Sequence, residues 1–142
     1  MPPALPSDGD QPGLPTANLT TVGSTHGVEI TVHRFDCPAP GPTVLAAHAT
    51  GFHGAVWGPL AAELCALSGA TVLAPDMRGH GTSRLPDDVV LDWDGFADDV
   101  LAVVDAMGLE APVGVGHSKG GAALLRAEAR RPGTFRGLWC FE

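Results

Sequence analysis

Only one lysine, Lys119, occurs in these 142 residues, and eight Lys and Arg against sixteen Asp and Glu leave a net charge of -8. Apart from Arg130-Arg131 there is no basic cluster, which excludes a nucleic-acid surface or an anionic membrane as the expected partner. That arginine pair sits where it can cap a helix C-terminus. Cysteine is scarce too: Cys37, Cys65 and Cys140 are odd in number, widely spaced and without a CxxC. Neither a disulfide framework nor a zinc site is therefore expected, and a reducing cytoplasm is the default. GxGxxG and the Walker lysine pattern are absent and no two histidines have the helical spacing of a metal pair, so no cofactor and no metal are expected. Met1 to Ala17 carries five prolines but neither a basic start nor an apolar run, and reads as a flexible tail rather than a signal peptide or membrane anchor.

What is present suits one globular domain. The length allows an ordinary core, and 44% apolar with 17% charged residues rules out a disordered chain. Leu19 to Val22 and the alternating Val28 to Phe35 read as an antiparallel pair with one partly wet side, on which His26 and His33 are expected as surface histidines. Thr43 to His48 is a continuous apolar run, expected of a strand buried on both faces. A Gly-containing loop, Ala49 to Gly54, follows it. The pattern then predicts a helix over Trp57 to Leu67, with Leu60, Leu64 and Leu67 on a shared face, and a buried strand from Ala70 to Ala74. A second helix, from about Trp93 to Met107, is expected to bury Phe96, Val100, Val103, Val104 and Met107. Its adjacent Asp98 and Asp99 point in different directions and are expected on a solvated face.

Val113-Gly114-Val115-Gly116-His117-Ser118-Lys119-Gly120-Gly121 organises the rest. A buried strand over Pro112 to His117 meets a helix that begins at Lys119 and runs to about Arg131, with GxSxG at the junction. Such a junction is a nucleophile elbow, a turn so sharp that the serine is strained and its hydroxyl stands clear of the sheet. Gly116 and Gly120 then follow, because a side chain two residues either side of Ser118 would meet neighbouring backbone. The helix start aims free N–H groups and a positive dipole end at the place where an oxyanion would form. Lys119 opposes that dipole, and is expected to pack its stem and reach a surface acid rather than touch substrate. One more strand is expected over Phe135 to Phe141.

Three motifs in this order resemble the N-terminal half of the α/β-hydrolase superfamily, serine-nucleophile branch. They are His48-Ala49-Thr50-Gly51, where that family has its oxyanion loop; Asp76-Met77-Arg78-Gly79-His80-Gly81-Thr82-Ser83, matching a DxRGxGxS turn after the fourth strand; and the elbow. Trp57, nine residues beyond His48, also suits the family, whereas Ala49 stands where it usually has glycine. The resemblance implies an α/β fold with a mostly parallel sheet and flanking helices. It implies Ser118 as nucleophile, and backbone N–H groups of Lys119 and of Thr50, or alternatively Gly51, as the oxyanion hole. A small acyl or ester substrate and an acyl-enzyme route follow from it. Carbon–carbon bond hydrolysis and perhydrolase chemistry share the elbow, whereas the epoxide and haloalkane branches use aspartate at this position.

In that family the acid and the histidine follow the serine in the chain. Here 24 residues follow Ser118; they hold no histidine, and their acids are Glu128 and Glu142. His117 is expected to point away from Ser118, and His48, His53 and His80 to serve loop structure. The expectation is therefore a partial α/β-hydrolase domain, residues 18–142 of a longer enzyme, truncated after about the sixth strand. The competing expectation is a catalytically inactive fragment or interaction module that self-associates through the exposed edge around Leu138 to Phe141.

Overall fold

Alternate residues of the inner strands serve opposite helical layers, and this alternation sets the architecture. The computed structural model describes residues 15–142, in which six strands form one sheet. They are β1 (Asn18–Gly23), β2 (Glu29–Phe35), β3 (Thr43–Ala47), β4 (Thr71–Pro75), β5 (Val113–His117) and β6 (Gly137–Phe141). The spatial order is β1-β2-β4-β3-β5-β6. β1 with β2 and β2 with β4 pair antiparallel, and the other neighbours are parallel. The helices are α1 (Gly58–Ser68), α2 (Trp93–Ala106) and α3 (Lys119–Arg130). The expected fold class is the one adopted. Of the expected N-terminal tail, residues 1–14 lie outside the described residues.

On one face Ile30, Val32, Leu45, Ala47 and Leu73 pack against Phe96, Val100 and Val103 of α2 and Ala123, Leu124 and Ala127 of α3. On the other, Val44, Ala46, Val72, Ala74 and Val115 meet Trp57 and Ala61. Full burial of a valine or leucine contributes roughly 1.5–3 kcal/mol relative to exposure, so β3 and β4 are anchored from both sides. Helix α2 starts where Asp92 accepts a hydrogen bond from the Gly95 N–H at 2.6 Å, an N-cap that also favours its acidic first turn.

Four sequence-based expectations need correction. The face of α1 turned to the sheet carries Gly58 and Ala61 with a half-buried Leu64, whereas Leu60 is exposed and Leu67 is 81% exposed. Small residues let the helix backbone approach the sheet closely, with Gly58 lying against the Phe35 ring. Asp99 is fully buried rather than solvated, because Arg78 reaches it from the turn after β4. His33 is not a surface histidine: its Nε2 lies 2.9 Å from Asp76 Oδ1 and its side chain is mostly enclosed. Cys37 and Cys65 form a disulfide, with Cα atoms 5.5 Å apart. The bridge arises because the linker after β2 passes the last turn of α1, a proximity that a separation of 28 residues conceals. Cys140 remains free.

β6 is the sheet's outer strand on its side, and its burial alternates. Leu138 packs towards the α2–α3 layer, whereas Trp139 and Phe141 are 69% and 41% exposed.

Candidate active site

Ser118 joins β5 to α3 with φ 49° and ψ -115°, a backbone conformation uncommon for any residue with a side chain. Its N–H donates to the Phe141 carbonyl at 2.6 Å, which ties the junction to the end of β6. A Cβ on Gly116 would collide with Gly121, and one on Gly120 with the carbonyl of Ala47. Close packing of α3 on β5 and β3 therefore dictates both glycines. Among the described residues Ser118 Oγ has no hydrogen-bond partner, and the residue is exposed. It opens on a shallow cavity of about 230 Å³ that it shares with Gly121, Leu125, Cys140 and Phe141. A larger cavity, about 390 Å³, lies away from Ser118, beside His26, Asp88 and Asp92.

Strain at Ser118 has a direct consequence for stability. Glycine adopts this conformation freely, so Ser118→Gly is expected to raise the unfolding free energy by about 1 kcal/mol, read by urea denaturation. A variant less stable than the parent would show that the junction stores no strain.

The loop after β3 is a tight turn. Phe52 N–H donates to the Ala49 carbonyl at 3.2 Å and Gly51 has φ 82°, the signature of a type II turn with Thr50 and Gly51 at its centre. His48, fully buried, sets where that turn sits. Its Nε2 accepts from the Met77 N–H at 3.0 Å, and Nδ1–H donates to the Ala49 carbonyl at 2.7 Å. Burial drives the His48 pKa down to about 4, with the Ala49 carbonyl opposing and the His80 and Lys119 charges assisting. The imidazole is thus neutral with a fixed tautomer.

Asp76 braces the same region. Its Oδ1 accepts from Gly54 N–H at 2.7 Å and contacts His33 Nε2, while Oδ2 accepts from the Thr82 N–H at 2.9 Å and its hydroxyl at 3.2 Å. Burial acts to raise its pKa, but the Thr82 and Gly54 donors and nearby His33 outweigh it and hold the carboxylate below its ordinary value. Gly81 leaves room for this carboxylate; a Cβ there would overlap it.

Lys119 does not reach a surface acid. It is 8% exposed, and its Nζ lies 2.9 Å from His80 Nε2 and 4.4 Å from the centroid of the Phe96 ring. His80 Nδ1–H donates to the Arg78 carbonyl at 3.0 Å. His117 stacks on Phe141, ring centroids 5.1 Å apart. The structure therefore sets the first turn of α3 against the end of β3 and the loop after β4, and brings the ring of Phe52, which follows the Thr50-Gly51 turn, to 6.1 Å from that of His117, the neighbour of Ser118. It engages His48 and His80 with other partners, and among the described residues no acid and no histidine lies at hydrogen-bonding distance of Ser118. Among the described residues no group of three or more His, Cys, Asp or Glu is arranged to hold a metal ion.

A six-stranded, mostly parallel sheet with a strained serine between its fifth strand and the next helix is the architecture of the alpha/beta hydrolases. A profile of the alpha/beta hydrolase family matches residues 44–139, and the chain belongs to that family. It is 37% identical over 103 residues to a monoglyceride lipase from Homo sapiens, covering 70% of this chain and 34% of that protein. With a bifunctional esterase/perhydrolase from Acinetobacter calcoaceticus it is 47% identical over 64 residues, 45% of this chain and 23% of the other. The crystal structure of an alpha/beta hydrolase from Novosphingobium aromaticivorans superposes with TM-score 0.78 at 22% identity, covering 90% of this chain and 45% of that one. The chain spans about a quarter to a third of the length of these curated relatives. Among the described residues no helix is long and apolar enough to cross a membrane.

Proposed function

We propose that this chain carries the nucleophile and oxyanion-hole portion of a serine hydrolase acting on carboxylic esters of small or medium size. One observation carries the proposal: Ser118 projects from the strained β5–α3 junction at the N-terminus of α3. Attack by its hydroxyl on an ester carbonyl places negative charge on oxygen. The N–H of Lys119 and that of Thr50, or of Gly51, would receive that charge; one such donor is typically worth roughly 2.7–4 kcal/mol in the transition state. Among the described residues no base stands at Ser118 to take its hydroxyl proton, so the proton passes to solvent hydroxide and acylation and deacylation are both expected to be slow. Slow release of p-nitrophenol from p-nitrophenyl butyrate, lost in Ser118→Ala, tests this. Equal release by both proteins would remove the proposal.

A specific observation also favours an interaction role. The free edge of β6 presents Trp139 and Phe141 to solvent, an invitation to strand pairing between copies of this chain. Sedimentation of the parent against Trp139→Lys would distinguish a paired species from a monomer. A cytoplasmic location belongs to the same proposal and rests on the few, widely spaced cysteines. The Cys37–Cys65 bridge weighs against it, because reducing compartments keep such pairs as thiols.

A further inference from the structure

We propose that the turn after β4 is a common frame for the two expected oxyanion donors, and that the Lys119 side chain, held by His80, is the positioning residue that ties the elbow's donor to it. The inference rests on the donor assignment of the preceding section.

Each donor is linked to that turn by a short chain of contacts. On the loop side, the Met77 N–H donates to His48, and His48 donates to the Ala49 carbonyl that closes the Thr50-Gly51 turn. Asp76 holds the far end of the loop through the Gly54 N–H. On the elbow side, the Arg78 carbonyl accepts from His80 Nδ1–H, and the Lys119 ammonium lies against the same imidazole, 2.9 Å from Nε2 and 3.2 Å from Nδ1. His48 and His80 lie side by side, ring centroids 5.1 Å apart, so the two linkages meet.

A cation at this place is unfavourable for stability alone. It opposes the α3 dipole at the helix start and it is almost wholly buried. Local rules are commonly broken where function requires it. Burial lowers the Lys119 pKa to about 8, with the Asp99 carboxylate opposing the fall. The charged and titratable groups that act on the ammonium are His80 from the β4 turn, Asp99 from α2, itself paired with Arg78, and His48 from the end of β3, with Phe96 beneath it. Loss of the proton removes the charge from both the His80 contact and the Phe96 ring face, so the tether weakens above that pH.

The sign for stability is the reverse. The folded pKa lies below the ~10.4 of a free lysine, so between the two values the unfolded chain binds more proton and the fold gains stability as pH rises. A merely structural lysine would show only that gain. A positioning lysine also moves the donors.

Because Lys119 is the only lysine, ¹³C-lysine labelling gives a single Cε resonance. The experiment follows that resonance and the backbone amides of Thr50, Gly51 and Lys119 by NMR between about pH 6 and 11. The expected result is a Cε midpoint near 8, with the Thr50 and Gly51 amides shifting at the same midpoint and becoming flat through that window in Lys119→Met. Thr50 and Gly51 amides that stay flat in the parent, or a Cε midpoint at ~10.4, would overturn the proposal. The parent titration decides even where Lys119→Met does not fold. No step requires catalysis, so failure of Ser118 to acylate would sink the nucleophile proposal without altering this result.

Discussion

Replacing Asp99 with alanine is expected to lower the unfolding free energy by about 3–5 kcal/mol, the cost of leaving one partner of a buried ion pair uncompensated. Arg78 and Asp99 are 1% and 0% exposed. The guanidinium donates to the carboxylate through Nε at 3.0 Å and Nη2 at 2.7 Å, and the Arg78 N–H donates to it at 3.1 Å. Ser24 adds its hydroxyl to Asp99 at 2.6 Å, while Thr25 accepts from Nη2 at 3.0 Å. One pair thereby joins the β1–β2 turn, the β4 turn and α2. Gly95 makes the space, since a Cβ there would overlap the guanidinium. Removing the carboxylate strands a buried cation and deprives the Ser24 hydroxyl of its acceptor. Thermal melting should fall by roughly 6–20 °C, whereas Asp94→Ala, which breaks an exposed pair with Arg126, should stay within about 1 kcal/mol of the parent. Equal effects would mean that the Arg78 pair is solvated in solution.

Reduction of the Cys37–Cys65 bridge is expected to lower stability by about 3–4 kcal/mol, from the chain entropy regained when a loop of this length opens. The bridge staples the linker after β2 to the last turn of α1, where Gly41 and Gly69 also pack backbone against backbone. Urea titrations with and without dithiothreitol, and of the Cys37→Ser, Cys65→Ser double variant, measure the difference. Insensitivity to dithiothreitol in the parent would show that the two thiols are unbridged in solution.

The succession of strands and helices along the chain, the elbow and the three motif loops were legible because each leaves a local trace. The run Thr43 to His48 announces a strand covered on both sides, and GxSxG fits only a turn where Gly116 and Gly120 face backbone. What was not legible depends on contacts between segments distant in the chain. Asp99 was partly readable all the same: it shares the α2 arc of Phe96 and Val103, spaced three and four residues away, and a carboxylate in an apolar arc demands a partner. Nothing local pairs Cys37 with Cys65, or turns Lys119 inward to His80, since both depend on where loops cross. Of the α1 leucines Leu64 does pack against the core, but Leu60 and Leu67 misled because apolar spacing identifies a face without saying which way it points, and Gly58 with Ala61 offered the closer approach.

The most direct test of Ser118 as the nucleophile is covalent. The chain would be incubated with an alkyl fluorophosphonate and the adduct located by peptide mass spectrometry, with Ser118→Ala alongside. A single adduct on Ser118, forming faster than on the other serines and absent from the variant, is the predicted result. An unmodified Ser118, or an adduct that persists in Ser118→Ala, would contradict the account.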